Sequence, residues 1–229
     1  MAKIFLGVGH GGSDPGAVAN GLRESDLNLA IALACRDELV RHGVTVKMSR
    51  TKDENDTLSE EIKECNAFNP DYAIDIHNNA GGGDGVEVFH SKANSKDNKL
   101  AQNVLDAIVA IGQNSRGLKT KLNSSGTDYF GFIRQIKAPS ILVECAFVDN
   151  KKDIAIIDTK AEQRTMGIAI AKGILATLGI KWEKEEAKVE SGVLYRVQVG
   201  AFSIKDNAEA MVDKLAKAGF VGYIVESKK

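Results

Sequence analysis

Short apolar runs of strand length alternate along this chain with longer segments of helical periodicity, and this alternation restricts its fold more than any other feature. The strand-like runs are KIFLGV (3–8), VTVKM (44–48), YAIDI (72–76), VEVF (86–89) and SILVECA (140–146). Helical patterns cover 24–41 and lie near 57–68, 97–112 and 160–178. Strands that alternate with helices form a mostly parallel sheet covered on both faces. The sequence therefore predicts an α/β domain that ends near Gly179.

The C-terminal part of the chain has a different character. Residues 180–191, which include the charged run KWEKEEAKVES, lack core periodicity and are predicted to be a linker, with Trp182 as the last contact with the domain. An alternating run over 194–199, a helix from about Asp206 to Ala218 and a second run over 221–225 predict a small β-α-β module at 192–229. So small a unit buries too little surface to fold unaided, so something must complete it.

Composition excludes several classes of protein. The 229 residues carry a formal net charge of −1, so the strongly basic surface of a nucleic-acid binder is missing. No apolar run reaches the roughly 18 residues that a membrane span needs, and the N-terminal apolar stretch is too short for a secretory signal. We therefore expect synthesis in the cytosol and no membrane insertion. Cys35, Cys65 and Cys145 are too few and too scattered for a disulfide framework, and we expect Cys145 to be a buried thiol.

Two histidines follow predicted strands. His10 comes after the first strand in GVGHGGSDPG, and His77 comes after YAIDI in DIHNNA. Because the carboxyl ends of parallel strands meet at one edge of a sheet, these side chains can face each other. Neutral imidazoles are common zinc ligands, and a catalytic zinc takes three protein ligands and leaves one position for water. The pair therefore indicates a zinc site.

Glu24 is the candidate for the third ligand. It stands at the predicted start of the first helix, after a glycine-rich loop whose backbone freedom would let the chain fold back toward His10. The alternative is an ordinary carboxylate in the first turn of a helix, favoured there by the helix dipole.

Glu144 lies inside an apolar strand, where an isolated charge is costly unless it binds a metal, pairs or becomes protonated. Beside a zinc-activated water it would suit a general base that later returns the proton to a leaving amine. The alternative is a structural carboxylate held by the neighbouring backbone. Of the other histidines, His42 is expected to be an exposed residue at a helix end, and His90 to be a weak candidate for the same sheet edge. Asp14 is expected to be a turn residue before Pro15.

Taken together, GHGGSDPGA with Glu24, DIHNNA, GVEVFH and APSILVECAFVDN resemble the zinc-dependent N-acetylmuramoyl-L-alanine amidases over residues 2 to about 178. The resemblance implies a three-layer α/β/α domain around a twisted, mostly parallel sheet in residues 1–179. It implies that His10, Glu24 and His77 bind Zn²⁺ and that Glu144 is catalytic. The implied reaction is hydrolysis of the amide between N-acetylmuramic acid and the L-alanine of the peptidoglycan stem. Cys145, Ala146 and Asn78 depart from the residues usual in the family, which leaves substrate preference open.

The tail from Tyr195 to Glu226 resembles the first half of a sporulation-related repeat (SPOR) domain, a module that binds peptidoglycan and contains two β-α-β halves. This chain supplies one half. Pairing of halves from two chains would make a homodimer; a remnant or a truncated module is the alternative.

Other functions remain open on the sequence alone. The fold could hold peptidoglycan without cutting it, although all four positions of the implied site are intact. A zinc carboxypeptidase would need an arginine that grips a free carboxylate, for which Arg50 or Arg134 is available. A phage endolysin and a mother-cell autolysin both fit a wall hydrolase that lacks an export signal and reaches the wall after release or lysis.

Overall fold

A computed structural model of the protein describes residues 1–185 and 197–227. The chain consists of two compact units, Met1–Glu183 and Lys184–Lys229. The strands are β1 (Lys3–Val8), β2 (Val18–Ala19), β3 (Leu22–Arg23), β4 (Thr45–Met48), β5 (Tyr72–Asn79), β6 (Val86–His90), β7 (Ser115–Lys119) and β8 (Ser140–Phe147). The helices are α1 (Glu24–Arg41), α2 (Leu58–Phe68), α3 (Asn98–Val109), α4 (Gly131–Gln135), α5 (Lys151–Ile154), α6 (Lys160–Leu178) and α7 (Lys205–Lys217).

Six strands form the central sheet, in the order β4-β1-β5-β8-β6-β7. The first four strands in this order, β4, β1, β5 and β8, are parallel to their neighbours. Strand β6 runs antiparallel to β8, and β7 pairs parallel with β6. The short strands β2 and β3 form a separate antiparallel ribbon in the loop before α1. The sheet is thus mixed and mostly parallel, which confirms the predicted fold class.

Helices cover both faces of this sheet. On one face α6 packs against both α1 and α3, over a large apolar core that includes Ile31, Ile74 and Ile170. On the other face α2 and α4 cover a smaller core built around Phe5, Cys65 and Phe132. The result is the three-layer α/β/α arrangement that the sequence predicted.

The alternation of side chains along the central strands sets the position of the candidate site. Ile74 and Ile76 of β5 and Val143 and Cys145 of β8 belong to the large core. Because successive side chains of a strand point to opposite faces, His77 and Glu144 face the side of the smaller core. Burial of one face therefore fixes which residues of these strands reach the other.

Predicted and observed elements differ mainly where elements are short. The periodic helices 24–41 and 160–178 have the predicted bounds, while β7, α4 and α5 were not predicted. SRGLK (115–119) has no β-branched residue and becomes a strand because it pairs with β6. Helix α6 ends at Leu178 with Gly179 in a left-handed conformation (φ 73°), but the chain keeps packing on the large core through Ile180 and Trp182. Trp182 therefore contacts the domain as expected, and Glu183, which donates its backbone N–H to His42, extends that contact by one residue.

The second unit contains the predicted helix, here Lys205–Lys217. The prediction of strands on both sides of it is wrong for the described residues: 197–200 and 221–227 have no regular structure, while 186–196, with the rest of the linker and first strand, lie outside the described ranges. A strand requires a hydrogen-bonded neighbour, and these two segments do not form a ladder with each other. Within the described ranges, no helix has both the length and the apolar character needed to cross a membrane.

Candidate metal centre and active site

Two candidate residues lie side by side in the middle of the sheet. His77 on β5 and Glu144 on β8 are register partners in the parallel ladder. On the other side of β5, strand β1 continues into Gly9, where a Cβ atom would come within 2.1 Å of the His77 ring. A glycine at position 9 therefore leaves room for the His77 imidazole at the carboxyl-terminal ends of the central strands.

The loop between β1 and α1 contributes the other two candidates. His10 has a left-handed backbone (φ 63°), and Glu24 is the first residue of α1. Gly16 lies between them: a Cβ atom there would be 2.6 Å from Glu24 Oε2 and 2.7 Å from His10 Cδ2, at a φ of 64°. Glycine at 16 therefore allows the loop to bring Glu24 back to His10.

The structure brings His10, Glu24 and His77 together, with one potential ligand atom of each lying within 4.8 Å of the others. Glu24 Oε1 is 3.2 Å from His10 Nε2 and 3.0 Å from His77 Nδ1. The two rings are nearly perpendicular, with centroids 5.1 Å apart. Two imidazole nitrogens and a carboxylate oxygen thus converge on one small volume that could hold a metal ion.

The charges of this cluster reinforce one another. Burial opposes ionisation of Glu24, but the His10 and His77 imidazoles outweigh it and hold the pKa of Glu24 well below its usual range. The Glu24 carboxylate in turn raises the pKa of His10. For His77, burial lowers the pKa, but the charge of Asp75 and the contact with Glu24 outweigh burial, so that the pKa lies well above its usual range. Glu24 is therefore an anionic centre between two imidazoles rather than a solvated helix-start carboxylate.

Glu144 stands next to this cluster in a different state. Burial raises the pKa of its carboxyl group to about 7, an effect that the charge of His77 partly opposes. Its Oε2 atom is buried and has no hydrogen-bond partner. A carboxyl group with a pKa near neutrality can both accept and donate a proton at physiological pH.

A cavity of about 730 Å³ opens over these residues. His10, His77 and Glu144 line it together with Asp75 and the aromatic ring of Phe130. Among the described residues, no lysine or arginine lines this cavity. The cavity is therefore large enough for a substrate of several groups, but its described lining offers no lysine or arginine to a free carboxylate.

The two arginines that could grip a carboxylate are used elsewhere. Arg50 is 2% exposed and donates to the carbonyl oxygens of Val8, Gly9 and Ser25 at 2.8–3.2 Å. Arg134 donates to the carbonyl oxygens of Asp128 and Tyr129. Both guanidinium groups hold loops in place.

Arg50 was missed as a residue that supports the site, and so was the amide pair Asn28 and Asn78. Asn28 donates to the Gly9 carbonyl at 2.9 Å and accepts from the Asn78 side chain at 2.8 Å. The Asn78 backbone N–H donates to Glu24 Oε1 at 3.2 Å. Asn28 lies on the first helical pattern, and only its polarity at a core-facing position could have indicated this role.

Asp14 has a second role besides the expected one. Its Oδ1 atom accepts the Gly16 N–H at 3.0 Å, which is the predicted turn. Its Oδ2 atom lies 2.8 Å from His10 Nδ1, the ring nitrogen that points away from Glu24. The turn therefore also orients the histidine.

The remaining predicted positions lie outside the cluster. His42 follows α1 as expected, but its side chain is only 6% exposed, because it contacts the Glu38 carbonyl and accepts the Glu183 backbone N–H. The prediction of an exposed residue is wrong for that reason. His90 faces the Ser91 carbonyl and does not line the cavity. The three cysteines are free and buried, and burial raises the pKa of the Cys145 thiol well above its usual range.

Comparisons with known proteins agree with this arrangement. The profile of the family described as N-acetylmuramoyl-L-alanine amidase matches residues 4–176, and that of the SPOR domain matches residues 175–229. The sporulation-specific N-acetylmuramoyl-L-alanine amidase of Bacillus subtilis (strain 168) is 34% identical over 229 residues, covering 98% of this chain and 85% of that protein. The endolysin of Bacillus phage SPP1 is 29% identical over 221 residues, covering 93% and 80%.

A solved structure extends the likeness to three dimensions. The catalytic domain of CwlV, an N-acetylmuramoyl-L-alanine amidase from Bacillus (Paenibacillus) polymyxa var. colistinus, matches with a TM-score of 0.71 and 26% identity, covering 79% of this chain and all of that one (100%). The family profile spans most of the sequence, a relative is aligned over nearly the whole length of this chain, and the fold is shared. This chain therefore belongs to the N-acetylmuramoyl-L-alanine amidase family.

Proposed function

We propose that this protein hydrolyses the amide bond between N-acetylmuramic acid and the L-alanine of the peptidoglycan stem, with zinc at His10, Glu24 and His77 and with Glu144 as general base and acid. The observation that carries the proposal is the Glu144 carboxyl group, whose Oε2 atom has no hydrogen-bond partner, beside a His-Glu-His cluster whose two histidines line the same cavity. Membership of the amidase family supports the choice of bond.

The donor set fits zinc. Two imidazole nitrogens and one carboxylate oxygen are ligands typical of a catalytic zinc site with three protein ligands. Ligand atoms about 2.0–2.2 Å from a tetrahedral ion lie roughly 3.4 Å from one another. The separations of 3.2 and 3.0 Å between Glu24 Oε1 and the two imidazole nitrogens agree with that spacing.

Bound at these residues, zinc supplies polarisation of the amide carbonyl and lowers the pKa of water toward about 7. The chain supplies the proton transfers. The Glu144 carboxylate takes a proton from the attacking water and delivers it to the nitrogen of the leaving L-alanine. Its pKa of about 7 suits both steps, because a catalytic group works best when its pKa lies near the working pH.

The two rival functions are less well supported. A zinc carboxypeptidase needs a cation for the terminal carboxylate of its substrate, and Arg50 and Arg134 are bound to backbone carbonyls. A protein that only binds peptidoglycan has no need for a buried carboxyl group with a pKa near 7.

Digestion of purified peptidoglycan tests the proposal. Zinc-loaded protein is expected to release new N-terminal L-alanine amino groups, and a chelator is expected to abolish the release until zinc is restored. Release of free D-amino acids would instead indicate a carboxypeptidase. Binding to the wall by the zinc-loaded protein without any new amino terminus would contradict the amidase proposal.

We also propose that the SPOR-like tail binds peptidoglycan and pairs with the tail of a second chain. The support is its exposed apolar surface, since large exposed apolar patches mark interaction sites. The exposed residues there are Val197, Val199, Phe202, Ile204, Phe220, Val221, Tyr223, Ile224 and Val225.

Light scattering tests the pairing. The full chain is expected to have twice its monomer mass of 24.6 kDa, and Val221→Lys, at a residue that is 99% exposed, is expected to give the monomer without loss of the catalytic unit's melting transition. A monomeric full chain at high protein concentration would contradict the pairing, whatever its activity.

A further inference from the structure

The metal-ligand histidines share a feature that the proposed chemistry does not explain. Each ring has one nitrogen toward Glu24 and the other toward a second carboxylate. His10 Nδ1 lies 2.8 Å from Asp14 Oδ2, and His77 Nε2 lies 3.3 Å from Asp75 Oδ2. The two carboxylates differ in exposure: the side chain of Asp14 is 65% exposed and that of Asp75 only 5%.

Asp75 is built into the sheet behind His77. It lies two residues earlier on β5, on the same face, and its register partner on β1 is Gly7. A Cβ atom on Gly7 would be 2.7 Å from Asp75 Oδ1 and 2.5 Å from Glu61 Oε1. A residue larger than glycine at position 7 would therefore displace both carboxyl groups.

Asp75 differs from a structural carboxylate in what its second oxygen contacts. Its Oδ1 atom is buried without a hydrogen-bond partner, as are Glu61 Oε1 and Asp153 Oδ1. The Oδ2 atoms distinguish the two aspartates: that of Asp153, which is fully buried, accepts the backbone N–H groups of Gly85 and Phe147 at 2.9 and 2.7 Å. Asp153 ties two segments of backbone together, whereas Asp75 directs its other oxygen at an imidazole.

We propose that Asp75 is a positioning residue for the metal centre: it accepts the Nε2–H of His77 and so keeps Nδ1 of that ring directed at Glu24. This inference rests on the proposed metal site. A histidine ligand generally donates its second N–H to a carboxylate or carbonyl, which fixes the tautomer and the ring orientation. Burial makes this contact stronger than an exposed one, because solvent screens it less.

The test measures zinc affinity in the absence of substrate, by competition with a chromophoric chelator. Loss of such an outer partner typically costs 10–100-fold in metal affinity. We expect the zinc affinity of Asp75→Ala to fall by that factor. The zinc affinity of Asp75→Asn is expected to fall by a smaller factor, because the amide oxygen remains an acceptor. The imidazole ¹⁵N shifts of His77 are expected to show a smaller fraction of the Nε2–H tautomer in both variants.

Stability provides the readout that separates positioning from structure. In the metal-free protein Asp75→Asn removes both the repulsion from Glu61 and the attraction to His77, so its melting temperature is expected to stay close to that of the unmodified protein. Asp153→Asn is the matched control: it is expected to melt lower while its zinc affinity stays within two-fold.

Zinc affinity of Asp75→Ala within two-fold of the unmodified protein would overturn the inference, and so would a loss of affinity in Asp153→Asn as large as that in Asp75→Ala. Failure of the proposed function gives a different result, because the unmodified protein would then fail to bind zinc or to release L-alanine termini.

Discussion

The candidate site has two halves that are held in different ways. His77 and Glu144 belong to adjacent strands in the centre of the sheet, where the ladder of backbone hydrogen bonds sets their register. His10 and Glu24 belong to a glycine-rich loop and to the helix that follows it. That loop depends on side chains from elsewhere, chiefly Arg50, which binds three of the surrounding carbonyl groups.

The difference teaches where precision comes from in each half. A strand places a side chain by its position alone, since every second residue reaches the same face. A loop must be held by specific hydrogen bonds and by glycines that tolerate close approach. Substitution of Glu144, the residue of the strand half that is not a proposed ligand, should therefore affect chemistry without loss of the metal centre, and substitutions in the loop half should affect the assembly of that centre.

The largest expected effect belongs to the strand half. Glu144→Gln keeps the shape of the side chain but removes the base, and general acid–base catalysis typically contributes 10²–10⁴-fold to a rate. We expect the release of N-terminal L-alanine to fall by about that factor while zinc affinity changes little.

Glu87→Gln is the control for that experiment. Glu87 lies opposite Glu144 on β6 but pairs with Arg116 at 2.8 Å and does not line the cavity. The rate at which the Glu87→Gln variant releases N-terminal L-alanine is expected to stay within a few-fold of that of the unmodified protein. Equal losses in the two variants would mean that Glu144 acts through the sheet rather than on the substrate.

In the loop half, the comparison is sharpened by two glycines of similar backbone conformation. Gly16 (φ 64°) is crowded by Glu24 and His10, whereas a Cβ atom on Gly21 (φ 78°) would have no neighbouring atom within 4 Å. Gly16→Ala is expected to weaken zinc binding about 10–100-fold, the range typical of disturbed ligand orientation. Gly21→Ala is expected to cost only the strain of a left-handed alanine, about 1 kcal/mol of unfolding free energy. Chelator competition and thermal melts measure both, and equal zinc affinities would contradict the role given to Gly16.

The last expected effect is a pH dependence of stability in the metal-free protein, which concerns folding and not activity. Burial raises the pKa of Glu144 from 4.5 to about 7 in the folded state, so its contribution to stability is complete below about pH 4.5 and is lost as the pH rises through 7. Glu144→Gln is expected to match the unmodified protein at pH 4 and to exceed its unfolding free energy at pH 8, by about 3 kcal/mol. Urea titrations at the two pH values measure this, and a gap of the same size at pH 4 would exclude ionisation as its cause.

The fold was predictable where the sequence repeats a long pattern. Helices α1 and α6 carry periodic apolar positions over many residues, and the central strands are buried runs bounded by turns. β7 and the five-residue α4 carry too few residues for any period to be visible, and they form because the rest of the sheet and its helices provide partners. The strand predicted at 221–225 illustrates the converse within the described residues, since a pattern without a partner does not make a sheet.

For the site, the residue types and the sheet edge were predictable, and their supports were not. His10 and His77 could be paired because parallel strands end at one edge. Asp75, by contrast, reads in the sequence as one more residue of the run YAIDI, and its relation to His77 becomes visible only from the 3.3 Å contact. Arg50 likewise was considered from the sequence only as a group that could grip a carboxylate, and its supporting role becomes visible only from the four carbonyl groups around it.

The anchoring of Trp182 has a practical consequence for protein engineering. Trp182 donates to the Glu38 side chain, and Lys172 lies 3.8 Å above its ring, so the first unit ends at the C-terminal end of α1. Glu24 stands at the other end of that helix, whose 18 residues span about 27 Å. A fluorescent reporter or a foreign targeting domain joined after Glu183 would begin at the end of α1 that is far from the cavity. The catalytic unit can therefore be fused to a new targeting domain without a change to the mouth of its cavity.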